Sequence, residues 1–446
     1  MNFKKAGLTG IAILTAVAAA ACSNSNQKQG EQQAAAGNGA NAQTESNGKL
    51  TFWGGANLTS AVQVVMEDYS KKHPDLQISY QKFPYAEYPT KMKLQLASEQ
   101  NEPDVMIIHD FLAPQFIKSG WLLDLTDAVK KEDFLPSSLD AVSLGGKLYG
   151  LPNQSNLGTF LYRKDIFDRL GLQAPKTLED YLKAAQKLKD NGYFIGAMNP
   201  NNAPDSFITF LLQSGGAIFD DKGNVILNTP EGKGVETLNL MKKMQDAGYF
   251  SPVTNLSQEF WTSVNAGKIV ANLTVSSDAA NYNTGLDPQG NGGYGKWSYA
   301  TPPKLAENGP VAFNNNTEYY VINKNTKNPE AAKALIKYLA SSEEAGKAFS
   351  EIEKPGLVVR MTNNYIPSLQ KLSEESAPWK AFGDQKIISQ EAKTLLETKP
   401  RLPYTDERAD ETKRIIGSAL AKFFNGGMSS EDTIKNVTDQ IKNIKR

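Results

Sequence analysis

Side chains that do covalent or redox chemistry are scarce in this sequence: 446 residues include two histidines, His73 and His109, and a single cysteine, Cys22. No zinc-binding motif, GxSxG nucleophile turn or phosphate loop is present, which removes support for triad hydrolases, metallohydrolases and nucleotide enzymes. With its one cysteine at the start of the chain, the protein has no thiolate metal site or cysteine nucleophile elsewhere, and neither a cofactor nor a metal is expected. His73, ahead of Pro74 at a helix end, reads as a solvated side chain. What remains in quantity is carboxylate, with 48 Asp and Glu residues. Two of these at a suitable separation suffice for glycoside hydrolysis, so a secreted carbohydrate-active hydrolase is one reading. Recognition of a ligand by the same acids, with no bond broken, is the other.

The first 21 residues place Lys4 and Lys5 ahead of the apolar run 11–17 and then small residues up to Cys22, the order of a secretory signal peptide. That run is seven residues long, and even with the small residues that follow it falls well short of the roughly 20 needed to cross a bilayer, so it is no transmembrane anchor. Ala19, Ala20, Ala21 and Cys22 resemble the lipobox of bacterial lipoproteins, although that motif usually has Leu where Ala19 stands. The resemblance implies lipidation of Cys22, in the manner of a palmitoylated lipoprotein, and a cell-membrane location facing the extracellular or periplasmic side. The alternative is cleavage near Ala21, giving a free secreted chain with a leftover thiol.

From 23 to 48 the chain is Asn, Gln, Ala, Gly and Ser with no large apolar residue, a composition that cannot offset the entropy of ordering; it reads as a flexible tether. Charge is balanced at 48 basic and 48 acidic residues, and loss of Lys4 and Lys5 leaves 46 against 48. No nucleic-acid surface or polybasic membrane surface is implied. The length suits two domains of roughly 150–200 residues. No repeat of fixed period appears, which argues against a solenoid, scaffold or adhesin.

The elements that must position any site begin at Lys49. Leu50 and Phe52 alternate with polar residues as a first strand, and Val62, Val65, Met66 and Tyr69 share a helix face that ends before Pro74. Leu76, Ile78 and Tyr80 predict a second strand, Met92 and Leu96 a second helix, and 105–108 a continuous apolar strand. Strands alternating with helices predict an α/β chain with a mainly parallel sheet covered on both faces. Thr177 with Asp180 predicts a capping box, while Thr229-Pro230 and Asn328-Pro329 predict two further helix starts. Ile416, Leu420 and Phe423 form one late helical stripe; Ile434, Val437, Ile441 and Ile444 form the next.

In order and spacing, several blocks resemble the extracellular sugar-binding proteins of bacterial ABC importers, the family of the maltodextrin-binding proteins. They are LTFW at 50–53, PDVMIIHD at 103–110, LYGLP at 148–152, LYRKD at 161–165, AGKIVA at 266–271, NPEAA at 328–332 and PRLPY at 400–404. The resemblance covers nearly the whole mature chain. It implies a two-lobe periplasmic-binding-protein-like fold with a central ligand cleft and hinge. The N-terminal lobe would comprise 49–155 and 301–349, the C-terminal lobe 156–300 and 350–446. It also implies a carbohydrate ligand, ABC transporter permease subunits as partners, a monomer, and no membrane contact beyond the lipid.

Sugar hydroxyls need paired donors and acceptors, and sugar C–H faces pack on aromatic rings, so a sugar cleft mixes Asp and Asn with Trp. By family position, Asp110 and His109 would stand at the cleft edge after a buried strand; Asp110 as the cap of the helix around Phe116, and His109 as a satisfied polar group, are the alternatives. Trp53, beside Gly54 and Gly55, would be a stacking platform or a core residue. Asn156 would contact ligand at the first crossover or serve as a turn residue. Ser277 and Asp278 stand, with Ser276, where relatives often present an aromatic or polar residue, and the three replace the usual Trp. Asn314, Asn315 and Asn316 would read hydroxyls or form a turn. Trp379 is the remaining aromatic candidate, ahead of Trp261.

Overall fold

Two sheets organise the molecule, and the order in which the chain visits them decides where its polar residues meet. We describe a computed structural model covering residues 48–444, apart from 56–59, 85–86, 202, 221, 308, 311–316, 352–364 and 398–405. The strands of the two larger sheets are β1 (Gly48–Gly54), β2 (Leu76–Lys82), β3 (Val105–His109), β4 (Gly150–Gln154), β5 (Gly158–Arg163), β6 (Ala271–Val275), β7 (Trp297–Ala300) and β8 (Glu318–Ile322).

The first sheet has five strands in the order β2-β1-β3-β8-β4, and the second has three in the order β6-β5-β7. The chain passes from the first to the second between Gln154 and Gly158 and returns between Ala300 and Glu318. The described residues form one compact unit.

Each expected element has a physical reason to form. Leu50 and Phe52 point into the core from β1, and all five residues of β3 are buried, as a central strand requires. The helix Ser60–Lys72 buries Val62, Val65, Met66 and Tyr69. Tyr80 is exposed because β2 is the sheet edge. Thr177 and Asp180 do make the reciprocal capping box that opens Leu178–Asp190.

Two expectations need correction. In the two larger sheets only β1–β2 and β1–β3 are parallel; β8 runs antiparallel to β3 and β4, and the second sheet is antiparallel throughout. The cause is that β8 enters between β3 and β4 on the return crossover rather than through a local βαβ unit. Thr229 does not cap a helix directly: Thr229 Oγ1 accepts the Gly232 amide at 3.2 Å in a turn, and the helix is Gly234–Asp246.

The second sheet is filled on both faces by alternation along β5. Phe160 joins the large core that also holds Phe167 and Tyr181, whereas Leu161 joins a second core with Phe260, Tyr282, Trp297, Trp379 and Phe382. Tyr282 and Trp297 meet edge to face at 4.6 Å, a geometry their ring quadrupoles favour. The stripes Ile416, Leu420, Phe423 and Ile434, Val437, Ile441 are buried where the last two helices, Ala409–Phe424 and Ser430–Lys442, pack on each other.

Asp104 joins three chain segments of the first sheet. Its Oδ2 accepts from Thr51 N at 2.7 Å and Thr51 Oγ1 at 2.8 Å, and its Oδ1 accepts from Thr326 Oγ1. Asp104→Ala leaves these donors without acceptors at a position 4 % exposed, and is expected to cost about 2–4 kcal/mol in urea denaturation. A loss below about 0.5 kcal/mol, the scale of an inert surface change, would show that water replaces the carboxylate.

Candidate functional site

At the carboxyl end of β6 the chain places polar side chains on one face of a strand whose other face is apolar. Asn272 and Thr274 alternate with Leu273 there, and the helix Ser276–Gly285 follows at once, with Asp278 in its first turn. These residues wall a cavity of about 260 Å³, together with Met198 and Asn199, the start of the helix Pro204–Gln213 (Asp205, Ser206 and Thr209), and Thr254 to Leu256. Clefts at the carboxyl ends of strands are the usual binding places of open α/β sheets.

The cavity wall is a connected hydrogen-bond network. Asn272 Nδ2 donates to Asn255 Oδ1 at 3.0 Å, Asn255 Nδ2 donates to Asp278 Oδ2 at 2.8 Å, and Thr274 Oγ1 donates to the same Oδ2. Asn199 Nδ2 donates to Thr254 Oγ1 at 2.8 Å. Burial raises the Asp278 carboxyl to about 6, against the pull of its Thr274 and Asn255 hydrogen bonds, and the nearby Asp205 charge adds to the rise. Such a wall presents fixed acceptors and amides, the groups that match hydroxyl-bearing ligands.

Asp110 stands at the end of β3 and is fully buried. Its Oδ1 accepts from the Phe111 amide at 2.8 Å and its Oδ2 from the Thr317 amide at 3.3 Å, so it ties the end of β3 to the entry of β8. The short helix Ala113–Lys118 has Leu112 at its cap with no side-chain bond, so Asp110 is not its cap. Burial raises the Asp110 carboxyl to about 7; Lys413 and the two amides oppose this, and Asp205 reinforces it. Asp110 and Asp278 thus each feel the charge of Asp205, although the three come from different segments.

The other expected residues are placed as follows. His109 is buried and its ring stacks on Phe111 at 5.3 Å. Trp53 is half-buried on Phe83, with ring centroids 4.8 Å apart. Asn156 is buried at the crossover, where its Oδ1 accepts from Gln154 Nε2 at 2.9 Å. Ser277 is half-buried and does not line the cavity, unlike Asp278. Trp379 is a core residue, fully buried beside Phe382, and does not face the cavity; its size and the surrounding apolar side chains carry it inward. Asn314, Asn315, Asn316, Cys22, residues 23–47 of the tether and the block 400–404 lie outside the described residues, while Gly48, the last residue expected of the tether, already begins β1.

Sequence reasoning missed Asp205, Asn255, Asn272 and Glu391. The alternation of Asn272 and Thr274 inside an apolar strand was a usable signal; nothing local marks Asn255 or Glu391. Glu391, from the helix Ile387–Glu397, is fully buried, and its Oε1 accepts from Ser276 Oγ at 2.8 Å. Burial raises its carboxyl to about 8. Among the described residues no group of His, Cys, Asp and Glu is arranged to hold a metal, and no helix is long and apolar enough to cross a membrane.

Fold and cavity together define a ligand-binding protein of the two-lobe periplasmic type. Residues 55–346 match the family model described as bacterial extracellular solute-binding protein, and the chain belongs to that family. It is 26 % identical over 326 residues to the arabinooligosaccharide-binding protein of Bacillus subtilis (strain 168), covering 70 % of this chain and 72 % of the relative. It is 24 % identical over 297 residues to the lactose-binding protein of Rhizobium radiobacter, covering 64 % and 68 %. The maltose-bound binding protein of T. maritima superposes with a TM-score of 0.69 at 21 % identity, covering 88 % of this chain and 99 % of that one. These relatives are binding proteins rather than enzymes.

Glu391, Asp110 and Asp278 all hold protons more tightly when folded than a free carboxylate does, so the folded state carries extra protons as pH rises above the ordinary carboxylate range. Their contribution is complete below about pH 4 and is lost as pH climbs through about 6 to 8. The urea midpoint should therefore fall between pH 5 and pH 8, and Glu391→Gln should flatten that fall and raise stability at pH 8. Parallel pH profiles for variant and parent would contradict a protonated Glu391.

Proposed function

We propose that this chain captures a carbohydrate, of oligosaccharide class, by closure of its two lobes and delivers it to an ABC-type permease without breaking a bond. The observation that carries this reading is the cavity wall at the end of β6, where Asn272, Asn255, Thr274 and Asp278 hold one another in a fixed donor and acceptor array. Prearranged polar groups bind hydroxyls without the cost of ordering them first. Relatives that bind arabinooligosaccharide, lactose and maltose support the ligand class. The lobes are assigned to 49–155 with 301–349, and to 156–300 with 350–446. Closure is a population shift, driven by ligand contacts to both lobes.

The chain works as a monomer on the outer face of the cell membrane, held by a lipid on Cys22, with 23–48 as the tether that lets the body reach the permease. Mass spectrometry of the mature amino terminus should find a diacylglycerol and acyl mass on Cys22. An unmodified terminus near residue 22 would replace the anchored protein with a freely secreted one.

Calorimetry of purified chain carrying Cys22→Ser, against arabinotriose, lactose and maltose, is expected to show binding of at least one sugar, recovered intact. Asp278→Ala should weaken that binding by about 1–3 kcal/mol, the worth of hydrogen bonds to a charged group. Cleavage products, or no binding to any of the three, would overturn the reading.

A further inference from the structure

The helix Ala409–Phe424 reaches across the molecule with one charged edge. Glu407 in the turn before it, Asp410 and Lys413 recur every three residues and so fall along one side. Glu407 pairs with Lys118 and Asp410 with Lys93, both on helices that flank the first sheet. Lys413 pairs with Asp205 of the cavity wall at 2.8 Å, and its ammonium lies 4.9 Å from the centre of the Phe111 ring, next to Asp110. The Lys413 side chain is 16 % exposed, against 57 % for Asp205, so the cation is set back while the carboxylate fronts the cavity.

We propose that Lys413 is the positioning residue of the cleft: held between Phe111 and Asp205, it joins the Asp110 carboxylate of the first lobe and the Asp205 carboxylate of the second into one charge-coupled unit. Two carboxylates brought together repel, and a cation between them offsets that repulsion, so that Asp205 can front the cavity while Asp110 stays buried behind it. When the lobes part, Phe111 and Asp110 move away from Lys413, and the orientation of Asp205 loses its support. Ligand capture and closure are thereby linked through one side chain. The groups that face Asp110 support the geometry: Lys413 favours its charged form, Asp205 disfavours it, the Phe111 and Thr317 amides favour it, and Tyr319 from β8 lies within its field, with His109 its neighbour in the chain and Glu318 the cross-strand partner of His109.

This inference rests on the proposed capture function, and its test separates the two. Full-length mature chain carrying Cys22→Ser and labelled with [γ-13C]aspartate is titrated by NMR, the Asp110 resonance being the one missing in Asp110→Asn. Lys413→Met should move the Asp110 midpoint up by about one pH unit and Asp205→Asn should move it down, while Lys413→Arg stays near the parent. In calorimetry at pH 7 with whichever of lactose, arabinotriose and maltose the parent binds, Lys413→Met should lose about tenfold in affinity and Lys413→Arg should restore most of it. Midpoints that do not move in opposite directions overturn the proposal whatever binds. Moved midpoints with unchanged sugar affinity overturn it too, because Lys413 then serves no capture. A parent chain that binds none of the three sugars sinks the carbohydrate reading instead, and the midpoints alone then decide whether Lys413 couples the two carboxylates.

Discussion

Leu157 and Ser276 exchange two hydrogen bonds, from the Ser276 amide to the Leu157 carbonyl at 2.7 Å and from the Leu157 amide to Ser276 Oγ at 3.1 Å. Leu157 belongs to the crossover between sheets, and Ser276 starts the helix that carries Asp278. The pairing therefore fixes the cavity wall relative to the segment about which the sheets are joined. Ser276 Oγ also donates to Glu391, so a third segment is bound at the same point. A hydroxyl that accepts from an amide and donates to a carboxyl uses both capacities at once, which an apolar residue of equal volume cannot do. Placement of Asp278, Thr274 and Asn255 all follows from this knot, since β6 ends where it is tied.

The acids around the cleft show why burial has to be judged by partners. Glu391 has one oxygen bonded to Ser276 and a second, Oε2, without a partner among the described residues, and its carboxyl rises furthest. Asp278 is almost as buried but accepts from Thr274 and Asn255, and it rises less. Desolvation acts on both, and hydrogen bonds decide the outcome. A protonated Glu391 is the cheaper state for an interior site, and it lets the acid serve as a neutral acceptor for Ser276 rather than as a charge at the crossover.

The sequence made the strands and helices of the first sheet legible because they obey simple periods: Leu50 and Phe52 alternate, Val62, Val65, Met66 and Tyr69 share a helix face, and 105–108 is apolar throughout. The Thr177 capping box was readable for the same reason, being a local exchange of hydrogen bonds. Strand direction was not, because the insertion of β8 between β3 and β4 depends on a return crossover about 160 residues downstream of β4, a relation no local pattern carries. Of the site, Asp278 was within reach and Asp205 was not. A lone Asp behind Pro204 at a helix start looks like ordinary dipole compensation, and only the fold brings it to Lys413. Trp379, an aromatic candidate only by its family position, is packed wholly into the second core, a placement that depends on partners distant in sequence such as Phe260, Tyr282 and Trp297.

The burial of Trp379 changes how the cavity must select its ligand. None of the residues lining it is aromatic, and Trp297 and Tyr282 are packed into the second core instead. Apolar pockets separate ligands weakly, since an extra or missing methylene is worth only about 1–3 kcal/mol. A polar array behaves differently, because a ligand lacking one hydroxyl leaves a buried acceptor or amide desolvated and unpaired. Asn255, Asn272, Thr274 and Asp278 already satisfy one another partly, which holds them rigid but also leaves few free directions for a ligand to use. Discrimination at this wall then rests on the stereochemistry of hydroxyls that meet the remaining directions, with no aromatic ring among the lining residues to stack on a sugar face.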